Sequence, residues 1–146
     1  MKQLNRGDWT ARRLGGSSTG LPDIVAVNNK KSILLSIEAK SGTGNSIYVP
    51  TDQIGRCFVI TEMFKVYSNR HVILAFKFMR KKRQVISGEV KYLPRKIKEH
   101  YKIIKFKGKP KKFPIIKCNY NGDTYMIYDS KIKQVRLKEF EMPFNQ

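Results

Sequence analysis

Asp23 follows Pro22 directly, and fourteen residues separate it from Glu38-Ala39-Lys40. Each acid sits at one end of an apolar run. Asp23 opens Ile24-Val25-Ala26-Val27, and Glu38 closes Ile33-Leu34-Leu35-Ser36-Ile37. On a strand, residues i and i+2 share a face, so Glu38 and Lys40 project together while Ile37 and Ala39 face the other way. A fold-back over Asn28-Asn29-Lys30-Lys31 brings Asp23 near Glu38. Three ionisable groups at the ends of buried strands cost desolvation energy unless they bind something. Two carboxylates with the main-chain carbonyl of Ala39 make an all-oxygen set suited to Mg²⁺ or Mn²⁺. Lys40 either orients and deprotonates water or offsets charge developing on a phosphate, and the sequence leaves both roles open.

The surrounding pattern supplies the elements that would hold these groups. Residues 7–14, around Trp9, Ala11 and Leu14, read as a short strand or the end of a helix. GGSSTG at 15–20 is loop by composition. The runs at 24–27 and 33–37 form an antiparallel hairpin. Ile47 to Pro50 is a brief extended piece. Ile54, Cys57, Phe58, Ile60, Thr61, Phe64 and Tyr67 recur at helical spacing, which predicts an amphipathic helix over 51–67 with Thr51 as N-cap. His71 to Phe78 reads as a buried strand. The order strand, strand, helix, strand predicts a mixed α/β sheet with the helix crossing one face.

Beyond Met79 the style changes to a basic block at 80–83, a short strand within 85–93 and a short helix within 94–101. Strands follow at 113–120, 124–128 and 133–140, with Asn121-Gly122 as a hairpin turn. This divides the chain into a compact core, 1–79, and a lysine-rich β extension, 80–146, packed on it. The stretch 104–112 is the one linker-like composition break.

The chain has 146 residues, with 30 Lys plus Arg against 11 Asp plus Glu, a net charge of +19. The excess is concentrated: residues 77–117 hold sixteen basic residues and two acids, a local 16 − 2 = +14. Such a charge favours a polyanionic partner, with counterion release supplying affinity. No apolar run is long enough to span a membrane, and the start lacks an apolar signal region. Cys57 and Cys118 cannot build a disulfide framework, and Cys57 belongs to the apolar helix face. His71 and His100 lack metal-spaced partners. These features predict a soluble intracellular domain.

The segments ARRLGGSSTGLPDIVAV, ILLSIEAKSG and IYVPTDQ together resemble the PD-(D/E)XK nuclease superfamily, and within it the archaeal Holliday junction resolvases. The resemblance covers roughly residues 9–79. It implies a restriction-endonuclease-like mixed β-sheet core flanked by helices, with the basic β-rich part as a C-terminal extension. It implies Asp23 and Glu38 as metal-binding carboxylates, Lys40 as the catalytic lysine, and Mg²⁺ (or Mn²⁺) as cofactor. Ser17, or its neighbour Ser18, matches the loop serine near the scissile phosphate, with Ser17 favoured. Gln53 matches an active-site glutamine of related nucleases, and Arg12 and Arg13 match phosphate contacts. Arg80, Lys81, Lys82 and Arg83 add a further nucleic-acid contact.

Family members are homodimers that cut four-way DNA junctions in recombination and repair, so branched or duplex DNA is the implied partner. A cytoplasmic place, in an archaeal cell or archaeal virus, follows from the same resemblance. One departure stands out. The family carries a further glutamate on a helix before the Gly/Ser loop, in a G-x-x-x-E-x-x-L setting. Here only Asp8 is acidic before Gly15, and it lies too close to the loop to be that residue. The chain is thus expected to lack that helix. Two alternatives follow: binding of branched DNA without cutting, or a nuclease of the same superfamily with another DNA substrate.

Overall fold

The computed structural model describes residues 2–14, 20–108 and 110–145. A 3-10 turn, Lys2–Leu4, leads to β1 (Trp9–Arg13), β2 (Ile24–Asn28) and β3 (Ile33–Gly42). Then come β4 (Ser46–Val49), α1 (Thr51–Met63) and β5 (Asn69–Phe78). The remaining strands are β6 (Lys81–Ile86), β7 (Glu89–Pro94), β8 (Lys98–Ile104), β9 (Ile115–Asn119), β10 (Thr124–Tyr128) and β11 (Lys131–Val135). The central sheet has five strands in the order β1-β2-β3-β5-β8. Its β3–β5 pair is parallel and its other pairs are antiparallel, so the sheet is mixed. A second sheet runs β11-β10-β9-β4, and β6 with β7 form a separate two-stranded ribbon.

The expected hairpin and the crossover helix are both present. α1 joins β3 to β5, and the Ser36 hydroxyl donates to the Cys57 carbonyl at 2.8 Å, tying strand to helix. The helix is shorter than the predicted 51–67 and ends at Met63. Tyr67 is held by its hydroxyl on Asn29 Oδ1 at 2.6 Å, and Asn69 N–H donates to the Ser32 carbonyl at 3.0 Å. The chain must leave the helix early to start β5 beside β3. The N-cap is Pro50, whose extended backbone lets its carbonyl accept from Gln53 and Ile54; Thr51 is the first helical residue.

Three other expectations are corrected. The last strand, expected at 133–140, is β11 at Lys131–Val135, placed by its pairing with β10. Residues 94–101 are not a helix: Lys98–Ile104 form β8, which pairs with the free side of β5 and satisfies its main-chain groups. The single strand expected within 85–93 is half of a hairpin, β6 and β7, turning at Ser87-Gly88. α1 is the one α-helix among the described residues, where helices were expected to flank the sheet. It is too short to cross a membrane. The late strands also interleave with the early ones, since β8 completes the central sheet and β9 pairs with β4.

Both faces of the central sheet are covered. On one, Val72, Leu74, Phe76 and Phe78 pack with Ile54 and Cys57 of α1 and with Ile116 and Cys118 of the second sheet. On the other, Leu35, Ile37, Ile73, Ala11 and Ala26 pack beneath Leu4 and Met142, which come from opposite ends of the chain. Trp9 packs at the edge of this second layer. Phe76 is 1% exposed. Phe76→Ala is expected to cost about 3–5 kcal/mol, read as a lowered urea midpoint at unchanged slope. Val66→Ala, at 83% exposure, should stay within about 0.5 kcal/mol of the parent.

Candidate active site

The β2–β3 register sets the site. Ile24 pairs with Ile37, so Asp23, one residue before β2, stands opposite Glu38. The Ala39 N–H donates to Asp23 Oδ2 at 2.9 Å, which fixes that carboxylate against β3. Both main-chain groups of a strand residue face the same neighbour, so the Ala39 carbonyl also faces the Asp23 side, where β2 has ended. Ser36, Glu38 and Lys40 share the face that α1 covers, as the Ser36–Cys57 bond shows. Because β5 runs parallel to β3, α1 must run back between them. Its first turn therefore lies at the end of β3 that carries Glu38 and Lys40.

Glu38 is 3% exposed, and its Oε2 has no hydrogen-bond partner. Burial, and next the Asp23 carboxylate, push its carboxyl from the ordinary 4.5 up to about 7. The Lys40 ammonium and the Asp23 backbone N–H pull it back down only in part. A buried carboxylate beside another one is costly when both are ionised, unless a cation meets them. The orphaned oxygen and the hard oxygen donors therefore fit a divalent cation. Among the described residues no group of three or more His, Cys, Asp or Glu side chains gathers. The carboxylates that meet here are the Asp23–Glu38 pair, with the Ala39 carbonyl facing the same side. Among the described residues, those before β1 form a 3-10 turn and a short connection.

Gln53 stands on the first turn of α1, which lies at the same end of β3. Its Oε1 is likewise buried without a partner. Arg12 and Arg13 are exposed on β1, opposite Val25 and Ile24. Arg12 reaches back to the Ala11 carbonyl at 2.8 Å, while Arg13 ends the strand next to Asp23. Ser17 and Ser18 lie outside the described residues. Arg80 to Arg83 stand at the root of the ribbon. Met79 N–H donates to the Gly42 carbonyl at 3.0 Å and Arg83 N–H to the Thr43 carbonyl at 2.8 Å. The ribbon therefore leaves from the sheet end that holds the carboxylates. His71 points to the opposite layer against Phe140, where burial lowers its pKa, and His100 contacts the Tyr120 carbonyl; neither joins the site.

Two features were missed in sequence. Arg95 packs over the Tyr120 ring at 4.6 Å, and its Nε donates to the Met79 carbonyl at 3.0 Å, bracing the ribbon root. Lys91 adds a cation to the ribbon. The signal for both was Ser87-Gly88, a two-residue turn between alternating segments. A cleft of about 990 Å³ lies elsewhere, lined by His100, Lys102 and Glu139 among others. A salt bridge of 2.6 Å between buried Lys102 and Glu139 occupies it.

The profile of the archaeal Holliday junction resolvases matches residues 2–109, well over half of the chain. No curated protein matches it. Among solved structures, a Holliday junction resolvase from the archaeal hyperthermophile Archaeoglobus fulgidus is similar. The two share 22% identity over 64% of this chain and 79% of that one, with a TM-score of 0.44.

The raised Glu38 carboxyl makes stability depend on pH in a defined direction. Below 4.5 the group is protonated whether folded or unfolded. Between 4.5 and about 7 the folded state keeps a proton that the unfolded state releases, so stability falls as pH rises. Above about 7 the loss is complete. In metal-free protein Glu38→Gln should therefore be neutral near pH 4. At pH 8 it should stabilise by on the order of 2–3 kcal/mol in urea unfolding. A variant equally stable to the parent at pH 8 contradicts this electrostatic reading.

Proposed function

Given that the chain belongs to the archaeal Holliday junction resolvase family, we propose that it cuts four-way DNA junctions using a divalent metal at Asp23 and Glu38. One observation carries this reading. The buried, unpartnered oxygen of Glu38 lies beside Asp23 at a strand end that also bears Lys40. When bound, Mg²⁺ or Mn²⁺ supplies Lewis-acid polarisation of the phosphate and eases deprotonation of water.

The chain's own residues do the rest. Asp23 and Glu38 hold the cation, with the Ala39 carbonyl as a third oxygen. Lys40 places its ammonium at the scissile phosphate and stabilises the charge that develops there. Gln53 turns its amide toward the attacking water, and a hydroxyl of Ser17 or Ser18 meets the phosphate. Arg12, Arg13 and Arg80 to Arg83 hold the duplex arms by their backbones, so junction shape is read more than base sequence. Two symmetric cuts call for two such sites, supplied by a homodimer acting in recombination and repair in the cytoplasm.

A second reading is favoured by one fact: only two carboxylates meet at the site among the described residues. On that reading the chain binds junctions without cutting them. A labelled four-way junction, incubated with Mg²⁺, with Mn²⁺ and with EDTA, separates the two. Paired symmetric cuts that vanish in EDTA support the nuclease; a shifted band without cuts supports the binder. Lys40→Ala is expected to slow cutting by about a hundredfold or more while junction affinity stays within about threefold. Unimpaired cutting by that variant removes Lys40 from the mechanism.

A further inference from the structure

We propose that the β6–β7 ribbon is an arm that enters a DNA groove at a branch point and lays an apolar tip against exposed bases. The choice of branched DNA rests on the junction reading above; the arm itself rests on different observations. The ribbon pairs with no other strand, and every residue of β7 is exposed. An isolated two-stranded ribbon is marginal in water, so one left this bare calls for a surface to lie against.

Its chemistry is graded along its length. Arg80, Lys81, Lys82 and Arg83 stand at the root, and Arg95 and Lys96 flank them. The tip is apolar and open: Val85 and Val90 are directly paired at 57% and 48% exposure, with Ile86 beside them. Glu89 is the one acid in residues 79–98 against eight Lys or Arg, a local 8 − 1 = +7. Such a surface selects a polyanion and repels a second copy of a +19 chain.

The dimensions agree with a groove. Strands rise about 3.3 Å per residue and the major groove is about 8.5 Å deep, so two to three residue pairs fit inside it. Counting back from the turn, those pairs are Ile86–Glu89, Val85–Val90 and Gln84–Lys91. The next pairs, Arg83–Tyr92 and Lys82–Leu93, then fall at the phosphates. Arg83 and Lys82 thus begin about one groove depth from the tip, opposite exposed Tyr92 and Leu93, while Glu89 and Lys91 lie within that depth beside the valines and Ile86. Ser87 and Gly88 have φ of 51° and 78°, a left-handed two-residue turn that suits the twist of a straight ribbon. Arg95, packed on Tyr120, holds the arm's direction against the second sheet. At a branch point bases are already partly unstacked, which lowers the cost of an apolar contact.

The test uses the full chain in EDTA, so that cutting plays no part. A four-way junction carries a fluorescent adenine analogue at its branch point. The parent protein should raise the fluorescence. The Val85→Ser, Ile86→Ser, Val90→Ser triple variant should lose that rise and bind the junction about tenfold more weakly, with linear-duplex affinity nearly unchanged. A fluorescence rise undiminished in the variant overturns the arm. Should the variant fail to fold, a photo-crosslinking side chain at position 86 reads the same question. Capture of branch-point bases supports the arm, whereas capture only of a second copy, or of nothing, overturns it. A parent protein that opens the branch but never cuts in Mg²⁺ leaves the arm standing and defeats the nuclease reading. One that cuts without opening the branch does the reverse.

Discussion

The pairing of Ile24 with Ile37 constrains everything else in this molecule. Side chains alternate across a strand, so a slip of one residue in that pairing would turn the relation between Asp23 and Glu38 inside out. The register is held from both sides. Ala26 and Leu35 pair within one buried layer, and on the opposite face Ser36 is bonded to α1. The Asp23–Ala39 hydrogen bond then extends the hairpin one step past its last ladder pair. Apolar burial in the body of the hairpin thus sets the placement of two carboxylates at its end. The stabilising residues and the chemically competent ones are neighbours in sequence with separate tasks.

The rest of the chain closes the sheet that carries this hairpin. β5 would be an open edge without β8, and β4 would be an unpaired scrap without β9. The C-terminal segment adds a further tie. Lys138 accepts from Ile103 and Phe140 donates to the Tyr101 carbonyl, while Glu139 neutralises the buried Lys102. Lys102 is buried while Glu139 is half exposed, so losing the carboxylate would leave a buried ammonium unpaired. Lysine-rich as it is, the C-terminal half supplies part of the core that the site depends on.

Much of this was legible in the sequence where local pattern and tertiary need agree. The runs at 24–27 and 33–37, the helix start near 51 and the strand at 71–78 are strongly patterned, and each appears. Asp23, Glu38 and Lys40 were legible because strand periodicity aligns Glu38 with Lys40 and a short hairpin turn returns Asp23 to Glu38. Legibility failed where distant partners decide. KEHYKII has no clear alternation, and it becomes a strand because β5 offers an edge far away in sequence. The helix end at Met63 is set by Tyr67 reaching Asn29 across the sheet, which no local rule contains. Gln53 was suggested by resemblance, but its buried, unpartnered oxygen belongs to packing and could not be read from the chain.

The charge distribution and the site act in opposite directions on small ions. A chain of net charge +19 raises the cost of bringing any divalent cation to its surface. On the proposed reading, DNA phosphates would gather at the ribbon root and β1, at the sheet end where Glu38 lies, and would offset that positive field beside the carboxylates. Cation and DNA would then favour each other's binding, and linkage requires such an effect to be reciprocal. Glu38 without a cation keeps its proton until about pH 7, so the free protein avoids a buried charge beside the Asp23 carboxylate. On that reading the ionised pair would become favourable when cation and phosphate arrive together, and a site of two carboxylates in a strongly basic protein would be completed by its substrate.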